Sequence, residues 1–431
     1  MLSDFQGRRQ KIFNNMPENS IAIVQSANVQ HRNNDTEFPF RQDSYFYYLT
    51  GFDESSAMAV LIKNQSKTQF LLFCLPKDPQ AEQWTGGRAG VKGAKAQFGA
   101  DEAYPITELT EKMLTLLAGL DHIYYLMGHH RSLDQNIITW LDHFRQKKRS
   151  NEIFPSQLLD LRNLFDESRL IKSPEEISQI KKACDISVNA HIQAMQQCKD
   201  GMNESELEGI LLYQFLKQGA RQVAYPCIVA GGNNACTLHY TKNDSALKKG
   251  DLVLIDAGAE YQYYASDITR TFPVGGEFTP AQKAIYELVL ASQMAAIEQI
   301  KPELPFEDIQ KIILKVLVKG LVDLNILKGD VDKLIQEKAY LPYYMHNSGH
   351  WLGLDVHDVG NYGSLKAGMV LTVEPGLYLS SQNTSLPEAY RGIGIRIEDD
   401  VLVTENGCEV LTQALPKTVN EIEQLCRGMH V

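Results

Sequence analysis

The sequence lacks several features that mark whole classes of protein. Its seven cysteines include no CxxC pair, so we predict reduced thiols that behave as small apolar side chains, not a disulfide framework or a zinc knuckle. It has no long run of Lys or Arg and a net charge of −11, which argues against nucleic acid or an anionic membrane as a partner. The opening MLSDFQGRRQKIFNNM has no apolar signal core, and no stretch of about 18 apolar residues could span a bilayer. We therefore expect a cytoplasmic protein.

Motifs of other enzyme classes are also missing. Neither GxSxG nor GxxxxGK[ST] occurs, which argues against a serine hydrolase and a kinase, and GGRAG at 86–90 lacks the lysine and hydroxyl that bind phosphate. The segment HNSGHWLGLDVHDVG, residues 346–360, carries three histidines but no HExxH. Glycines at 349 and 353 interrupt it. We therefore predict strand and loop there, not a helical zinc site.

The chain divides into two predicted domains, because 431 residues are too many for one ordinary core. Residues 1–168 alternate strand-like runs (IAIV, AMAVLI, FLLFCL and HIYYLM) with one clear helical pattern, ITELTEKMLTLLAGL, and so predict a small α/β domain. A second domain, 169–431, begins where Ser173 caps a helix, Pro174 takes its first position and Glu176 closes a capping box.

The second domain repeats one order of elements. Two helical patterns, 177–201 and 205–219, are followed by strand-like sequence, and two more, 279–300 and 306–321, are again followed by strand-like sequence. This order suggests two related halves packed around a common sheet, with a site in the crevice between them, although the residues of the halves are too different to prove a repeat. The fold class is therefore α/β (α+β).

Two aspartates lie eleven positions apart in LVLIDAGAEYQYYASDITRTF. A hairpin centred between Tyr261 and Gln262 would place Asp256 and Asp267 directly opposite each other, with both side chains on one face. Their like charges would then repel. The alternative is that one or both are turn aspartates exposed to water.

Further acidic residues follow apolar strands. Glu374 precedes a proline that ends strand pairing, and in RGIGIRIEDDVLV the alternation turns Arg396 and Glu398 to the same face. Each strand alone could be half solvated, but burying four carboxylates together would require cations. Counting charges favours two divalent metals, and a donor set of oxygen with a little imidazole suits manganese, cobalt or iron.

These blocks carry a family resemblance. HNSGHWLGLDVHDVG, TVEPGLY and YRGIGIRIEDD resemble the pita-bread metallopeptidases, the group that contains methionine aminopeptidase, aminopeptidase P and prolidase. TEFPFRQDSYFYYLTGFDES resembles the accessory domain of aminopeptidase P. The resemblance implies a pita-bread domain with pseudo-twofold halves and two divalent metals per chain, most often Mn²⁺. The implied ligands are Asp256 on one metal, His350 and Glu374 on the other, and Asp267 and Glu398 bridging both.

The resemblance also implies roles in amide hydrolysis by a hydroxide that bridges the metals. His357 would help to stabilise the oxyanion, and Glu374 would pass the proton of the water to the leaving nitrogen. His239 and His346 would position the substrate, with Arg396 orienting the acidic groups. Taken alone, each of the three histidines is more often structural.

The expected substrate is a peptide with proline at its second position. An Xaa-Pro bond has no N–H, so a peptidase that holds substrates by that donor cannot bind it productively. The alternative is prolidase, which would need a cation for the proline carboxylate; Arg391 is the one nearby candidate, and a loop role suits it equally. Trp84, in the Gly-rich EQWTGGRAG, resembles an aromatic that walls the active site of a neighbouring subunit, which predicts a homodimer or homotetramer.

A methionine aminopeptidase is less consistent with the sequence, because it would lack the N-terminal domain. A binding protein without catalysis would not require all five ligands.

Overall fold

A computed structural model describes residues 2–146 and 153–428. The chain forms two compact units, residues 1–169 and residues 170–431, which are described separately. All seven cysteines are free thiols. Among the described residues, no helix is both long and apolar enough to cross a membrane.

The N-terminal unit is built on one six-stranded mixed sheet. The strands of the whole N-terminal unit are β1 (Ser20–Gln25), β2 (His31–Asn33), β3 (Thr36–Glu37), β4 (Met58–Asn64), β5 (Lys67–Cys74), β6 (Glu102–Pro105), β7 (His122–Tyr125) and β8 (Gln157–Asp160). The sheet order is β6-β5-β4-β1-β7-β8, and β2 and β3 form a separate small hairpin. The four strand-like runs of the sequence lie in β1, β4, β5 and β7 and are buried over most of their length, so these predictions are confirmed.

The helices of this unit were mostly missed by the sequence pattern. They are α1 (Leu2–Asn15), α2 (Ser44–Thr50), α3 (Pro79–Thr85), α4 (Gly90–Phe98), α5 (Leu109–Leu116), α6 (Arg131–Gln146) and α7 (Arg162–Leu170). Only α5 was predicted. In α1 two of the buried residues are arginines, Arg8 and Arg9, and a pattern that counts arginine as a surface residue cannot find such a helix. In α6 the buried residues do follow helical spacing, so that helix could have been found.

The C-terminal unit begins with the predicted capping box. Glu176 N–H donates to Ser173 Oγ at 3.3 Å, and Ser173 N–H donates to Glu176 Oε2 at 3.0 Å. Its helices are α8 (Pro174–Gln197), α9 (Glu204–Lys217), α10 (Pro280–Ile297), α11 (Phe306–Asp323), α12 (Val331–Gln336) and α13 (Val419–Cys426). The predicted helix start at Ser173 is confirmed, and it could be predicted because a capping box has specific side-chain chemistry.

The strands of the C-terminal unit form several short sheets. They are β9 (Gln222–Val223), β10 (Ile228–Gly231), β11 (Leu252–Asp256), β12 (Ala259–Tyr261), β13 (Tyr264–Ala265), β14 (Thr269–Pro273), β15 (Val370–Val373), β16 (Gly376–Leu379), β17 (Ile393–Arg396), β18 (Asp399–Val403) and β19 (Cys408–Val410). The sheets are β10-β11-β14, β13-β12-β9, β15-β18-β19 and β16-β17. Two helices precede the strands of the first half, as expected, whereas in the second half the short helix α12, which the pattern did not predict, follows the two expected helices.

The two halves share a core and meet along a few hydrogen bonds. One apolar cluster contains side chains from α8 to α11 and from the strands of both halves. Glu398 N–H donates to Thr269 O at 3.1 Å, and Thr271 Oγ1 donates to Arg396 O at 3.0 Å. The prediction of one common sheet is therefore wrong in detail, because separate sheets are joined through β14 and the segment around β17.

The hairpin between the two aspartates turns one residue later than predicted. Tyr261 pairs with Tyr264, and both intervening residues, Gln262 and Tyr263, are left-handed, with φ of 51° and 69°. Neither is glycine or asparagine, the residues that usually mark such a turn, so the sequence carried no signal for its position.

This shift changes which residues face each other. Asp256 pairs with Thr269, not with Asp267. Ala257 N–H donates to Ile268 O, and Ser266 N–H donates to Ala259 O. The pair of residues between these two hydrogen bonds is Asp267 and Gly258, which therefore lie across from each other. A Cβ on Gly258 would come 1.7 Å from Ser266 O. Only glycine lets the two chain segments approach this closely between the two aspartates.

We predict that Gly258→Ala destabilises the protein by roughly 3 kcal/mol or more, as expected for a severe backbone clash. Chemical denaturation followed by circular dichroism would measure the change. The matched control is Gly209→Ala in α9, where an added Cβ meets nothing within 4 Å and alanine should favour the helix by ~1 kcal/mol. Equal midpoints for the two variants would contradict the close approach.

Candidate metal centre

Four acidic side chains converge at the ends of strands from both halves of the C-terminal unit. Asp256 ends β11, Asp267 precedes β14, Glu374 follows β15 and Glu398 follows β17. Asp256, Asp267 and Glu398 are buried, with at most 8% of their surface exposed. The alternative that the two aspartates are turn residues in water is therefore wrong.

His350 lies among these carboxylates. Its Nε2 is 3.4 Å from Asp267 Oδ2 and 3.6 Å from Glu374 Oε1, and His350, Asp267 and Glu398 each offer a ligand atom within 4.8 Å of the others. Nδ1 lies 2.9 Å from the carbonyl of Trp351, which can only accept, so Nδ1 carries the proton. With Nδ1 occupied in this way, Nε2 is the nitrogen that faces the carboxylates and that could bind a metal after losing its proton.

The electrostatics of the cluster call for positive charge. Burial, together with the neighbouring carboxylates, raises the pKa of Asp256 and of Glu398 and raises that of Glu374 to about 7. Burial would also raise the pKa of Asp267, but the contact with His350 outweighs it and lowers that pKa. Burial would lower the pKa of His350, but its carboxylate partners raise it to about 9. Like charges this close ionise together only beside cations.

One buried oxygen shows that the residues fit a metal. Asp256 Oδ2 accepts from Arg396 Nη2 at 2.5 Å, whereas Asp256 Oδ1 is buried and has no hydrogen-bond partner among the described residues. Leaving such an oxygen unsatisfied costs about 1–3 kcal/mol. Direct coordination of a divalent cation would satisfy it, and a donor set of carboxylates with one imidazole suits such an ion.

Two hydroxyl groups that hold the ligand carboxylates were missed in the sequence. Tyr225 donates to Asp267 Oδ1 at 2.5 Å, and Thr269 donates to Glu398 Oε2 at 2.6 Å. Tyr225 is far from Asp267 in sequence and lies in no motif, so only the fold reveals it. A search for donors beside each predicted ligand could have indicated Thr269, because it sits two positions after Asp267.

Arg396 faces the cluster, as the strand alternation predicted. Besides its bond to Asp256, Nη1 donates to Tyr378 OH at 3.0 Å and Nε donates to Thr269 Oγ1 at 3.0 Å. The side chain is buried, and each of its three nitrogens has a protein acceptor. Arg396 therefore orients the carboxylate of Asp256.

His346 is held by a directed chain of hydrogen bonds. Arg396 donates to Tyr378, Tyr378 OH lies 2.7 Å from His346 Nε2, and His346 Nδ1 lies 2.7 Å from the Asn347 carbonyl. Because the Asn347 carbonyl can only accept, His346 carries a proton on Nδ1. Tyr378 OH, which accepts from Arg396, donates its own proton to Nε2, so the ring is neutral. Burial and the charge of Arg396 lower its pKa to about 4, in agreement. Nδ1 is also 3.7 Å from Glu374 Oε2.

The other two histidines border the cluster on its solvent side. The rings of His357 and His350 are 4.2 Å apart in an edge contact, and burial and His350 lower the pKa of His357. His239 stands on an exposed turn, close enough to His346 and His357 to lower the pKa of each. The structure therefore brings the three predicted histidines close to one another beside the carboxylate cluster.

Two other candidates lie elsewhere. Trp84 belongs to the N-terminal unit and is 90% exposed; it lies in the short helix α3, so its prediction as a loop residue is wrong. Asp78 caps that helix. This cap indicates a helix start in the sequence, but the glycines after Trp84 favoured a loop instead. Arg391 donates to the carbonyls of Leu386 and Thr384, which is the loop role that the sequence left open.

A buried amide ties the two glutamate strands together. Gln293 Nε2 in α10 lies 3.1 Å from Val373 O and 3.2 Å from Ile397 O, the carbonyls just before Glu374 and Glu398. No local pattern distinguishes this glutamine from the others in an amphipathic helix. Its two hydrogen bonds hold together the strands that precede Glu374 and Glu398.

A buried carboxylate holds the loop that carries His239. Glu204 begins α9 and is fully buried. Its Oε1 accepts from Gly231 N–H at 2.7 Å and Asn234 Nδ2 at 2.9 Å. Its Oε2 accepts from Tyr240 OH and Ser245 N–H, both at 2.9 Å. Four donors from both ends of the 231–245 loop therefore converge on one side chain.

Comparison with protein families gives two matches. The model described as metallopeptidase family M24 matches residues 178–405, and the model described as the aminopeptidase P N-terminal domain matches residues 5–124. The first contains all five predicted metal ligands and the three histidines.

Characterised relatives match along nearly the whole chain. The Xaa-Pro aminopeptidase of Haemophilus influenzae is 46% identical over 427 residues, covering 98% of this chain and 96% of that protein. The Xaa-Pro aminopeptidase of Escherichia coli is 45% identical over 428 residues, covering 98% and 97%.

Solved structures agree with this chain in fold. Pseudomonas aeruginosa aminopeptidase PepP has a TM-score of 0.97 at 47% identity, covering 99% of this chain and 98% of that one. Zinc-substituted Escherichia coli aminopeptidase P in complex with product has a TM-score of 0.97 at 44% identity, covering 100% and 99%.

The contacts of Glu204 predict an effect on turnover without loss of metal. Glu204→Gln replaces an acceptor with an NH₂ group that faces the donors Tyr240 and Ser245, so the His239 loop should move. We expect kcat/KM to fall roughly tenfold to a hundredfold, with metal content unchanged. Glu206→Gln, an exposed change in the same helix, is the control. Equal kinetics for both variants, or metal loss in Glu204→Gln, would exclude this role.

Proposed function

Because the chain belongs to metallopeptidase family M24, we propose that it is a metal-dependent aminopeptidase that releases the first residue from peptides with proline in second position. The observation that carries this proposal is the convergence of four carboxylates and His350, of which only Glu374 is partly exposed, with an unsatisfied buried oxygen on Asp256 among the described residues. The full-length similarity to Xaa-Pro aminopeptidases supports the substrate class.

The proposed cofactors are two divalent ions, most readily Mn²⁺. Asp256 would hold one, His350 and Glu374 the other, and Asp267 and Glu398 both. Two divalent charges balance four carboxylates, and the oxygen-rich donor set favours manganese over structural zinc. Bound divalent cations would polarise the scissile carbonyl and make water acidic enough to lose its proton near neutral pH.

The side chains of the site have separate tasks in this proposal. The Glu374 carboxylate accepts the proton of the attacking water and passes it to the proline nitrogen. His357, on the open side of His350, donates to the developing oxyanion. His346, fixed as a neutral ring by Tyr378 and Asn347, and His239 position the peptide.

Arg396 acts through Asp256 rather than on the substrate. Its guanidinium holds one carboxylate oxygen of Asp256 and so leaves the other oxygen directed to the metal. This role agrees with the predicted orientation of the acidic groups by Arg396.

The compartment and assembly are also proposals. Seven free cysteines support a reducing compartment, such as the cytoplasm. A homodimer or homotetramer is supported by Trp84, because a tryptophan with 90% of its surface exposed is a frequent anchor of protein interfaces.

We expect a higher kcat/KM for Xaa-Pro-Xaa tripeptides than for Xaa-Pro dipeptides. A dipeptidase needs a cation for the proline carboxylate, and the candidate Arg391 already binds the carbonyls of Leu386 and Thr384. Steady-state kinetics on both substrates, with the amidated dipeptide as control, would test this. Activity confined to dipeptides and abolished by amidation would indicate prolidase instead.

A pair of variants separates ligands from catalytic histidines. Glu398→Ala should lose metal and activity together, because Glu398 lies within the buried ligand cluster. His357→Ala should keep its metal and lose roughly a hundredfold or more in kcat, the usual effect of removing one oxyanion donor. Metal analysis and single-substrate kinetics measure both. Metal loss in His357→Ala would mean that His357 is itself a ligand.

A further inference from the structure

The N-terminal unit contains a second cluster of metal-binding side chains. Asp43, His129 and His130 each offer a ligand atom, and these three atoms lie within 4.8 Å of one another. None of the three residues belongs to the metal centre described above, and the mechanism does not use them. The cluster combines two imidazoles with one carboxylate.

The three side chains are presented by the starts of two helices. Asp43 caps α2, where its Oδ1 accepts from Phe46 N–H at 2.9 Å, and its Oδ2 is 3.1 Å from His129 Nε2. His129 and His130 immediately precede α6, and the His130 carbonyl accepts from Asp134 N–H at 3.1 Å. The cap therefore fixes which oxygen of Asp43 faces the histidines.

His130 provides a second observation. Its Nε2 is shielded from solvent and has no hydrogen-bond partner among the described residues. Its ring lies 4.5 Å from that of His129, edge to face. Asp43 and His129 contact each other, whereas Nε2 of His130 has no hydrogen-bond partner among the described residues.

We propose that Asp43, His129 and His130 form a binding site for a divalent transition metal in the N-terminal unit. One ion would bind Oδ2 of Asp43 and one nitrogen of each imidazole, and would link the start of α2 to the start of α6. Two nitrogens and one oxygen suit Zn²⁺, Co²⁺ or Ni²⁺ better than Mg²⁺ or Ca²⁺. The exposed side at His129 leaves room for water to complete the coordination.

Metal counting on the full-length protein tests this site. Zn²⁺ bound per chain is measured by equilibrium dialysis and elemental analysis for the wild type, Asp43→Asn and His130→Ala. Asparagine caps helices as well as aspartate does, so Asp43→Asn removes a ligand charge while keeping α2. We expect both variants to bind one equivalent fewer than the wild type, with unchanged peptidase activity in Mn²⁺.

The control is His143→Ala, which removes an exposed histidine from α6 itself. It should bind as much Zn²⁺ as the wild type. A second readout is the visible absorption of the Co²⁺-loaded protein, which should lose one component in both cluster variants and none in the control. Equal Zn²⁺ content in the wild type and both cluster variants would overturn the proposal, as would an equal loss in His143→Ala. Neither readout depends on the proposed peptidase activity.

Discussion

Mutual repulsion among three buried carboxylates and the partly buried Glu374 is the constraint on which the C-terminal unit is organised. Each of the three buried carboxylates accepts a hydrogen bond from a side chain: Arg396 for Asp256, Tyr225 for Asp267 and Thr269 for Glu398. These donors occupy one oxygen of each of the three carboxylates and leave the other oxygen available to a cation. The protein therefore keeps acidic groups together at a cost that metal ions offset.

The convergence of the acidic residues could be predicted from the sequence because strand periodicity and acidic chemistry coincide at them. Asp256, Glu374 and Glu398 each end or follow an apolar strand, and such positions are visible in one dimension. Tyr225, Gln293 and Glu204 could not be predicted, because they lie in unremarkable segments and act only through contacts that the fold creates. The helix starts at Ser173 and Thr279 were readable, since capping boxes are local.

The errors have the same physical origin. The hairpin turn at Gln262 and Tyr263 uses residues that rarely adopt left-handed backbone, so local preference indicated the wrong centre. Helix α1 buries Arg9, whose Nη1 bonds the Leu49 carbonyl at 3.0 Å, and hydrophobic patterning excludes such a residue from a core. In each case a tertiary contact outweighed the local preference that sequence reasoning measures.

The predicted ligand positions are spread over both halves of the C-terminal unit, with Asp256 in the first half and Glu398 in the second. The N–H of Glu398 donates to Thr269 O in the first half, whereas Gln293 connects the strands of Glu374 and Glu398 within the second half. Neither half alone therefore contains the whole carboxylate cluster. During synthesis on the ribosome, the cluster is therefore incomplete until the strand that precedes Glu398 has emerged and has docked against the first half. A cation that requires the whole cluster can bind only after the two halves have met.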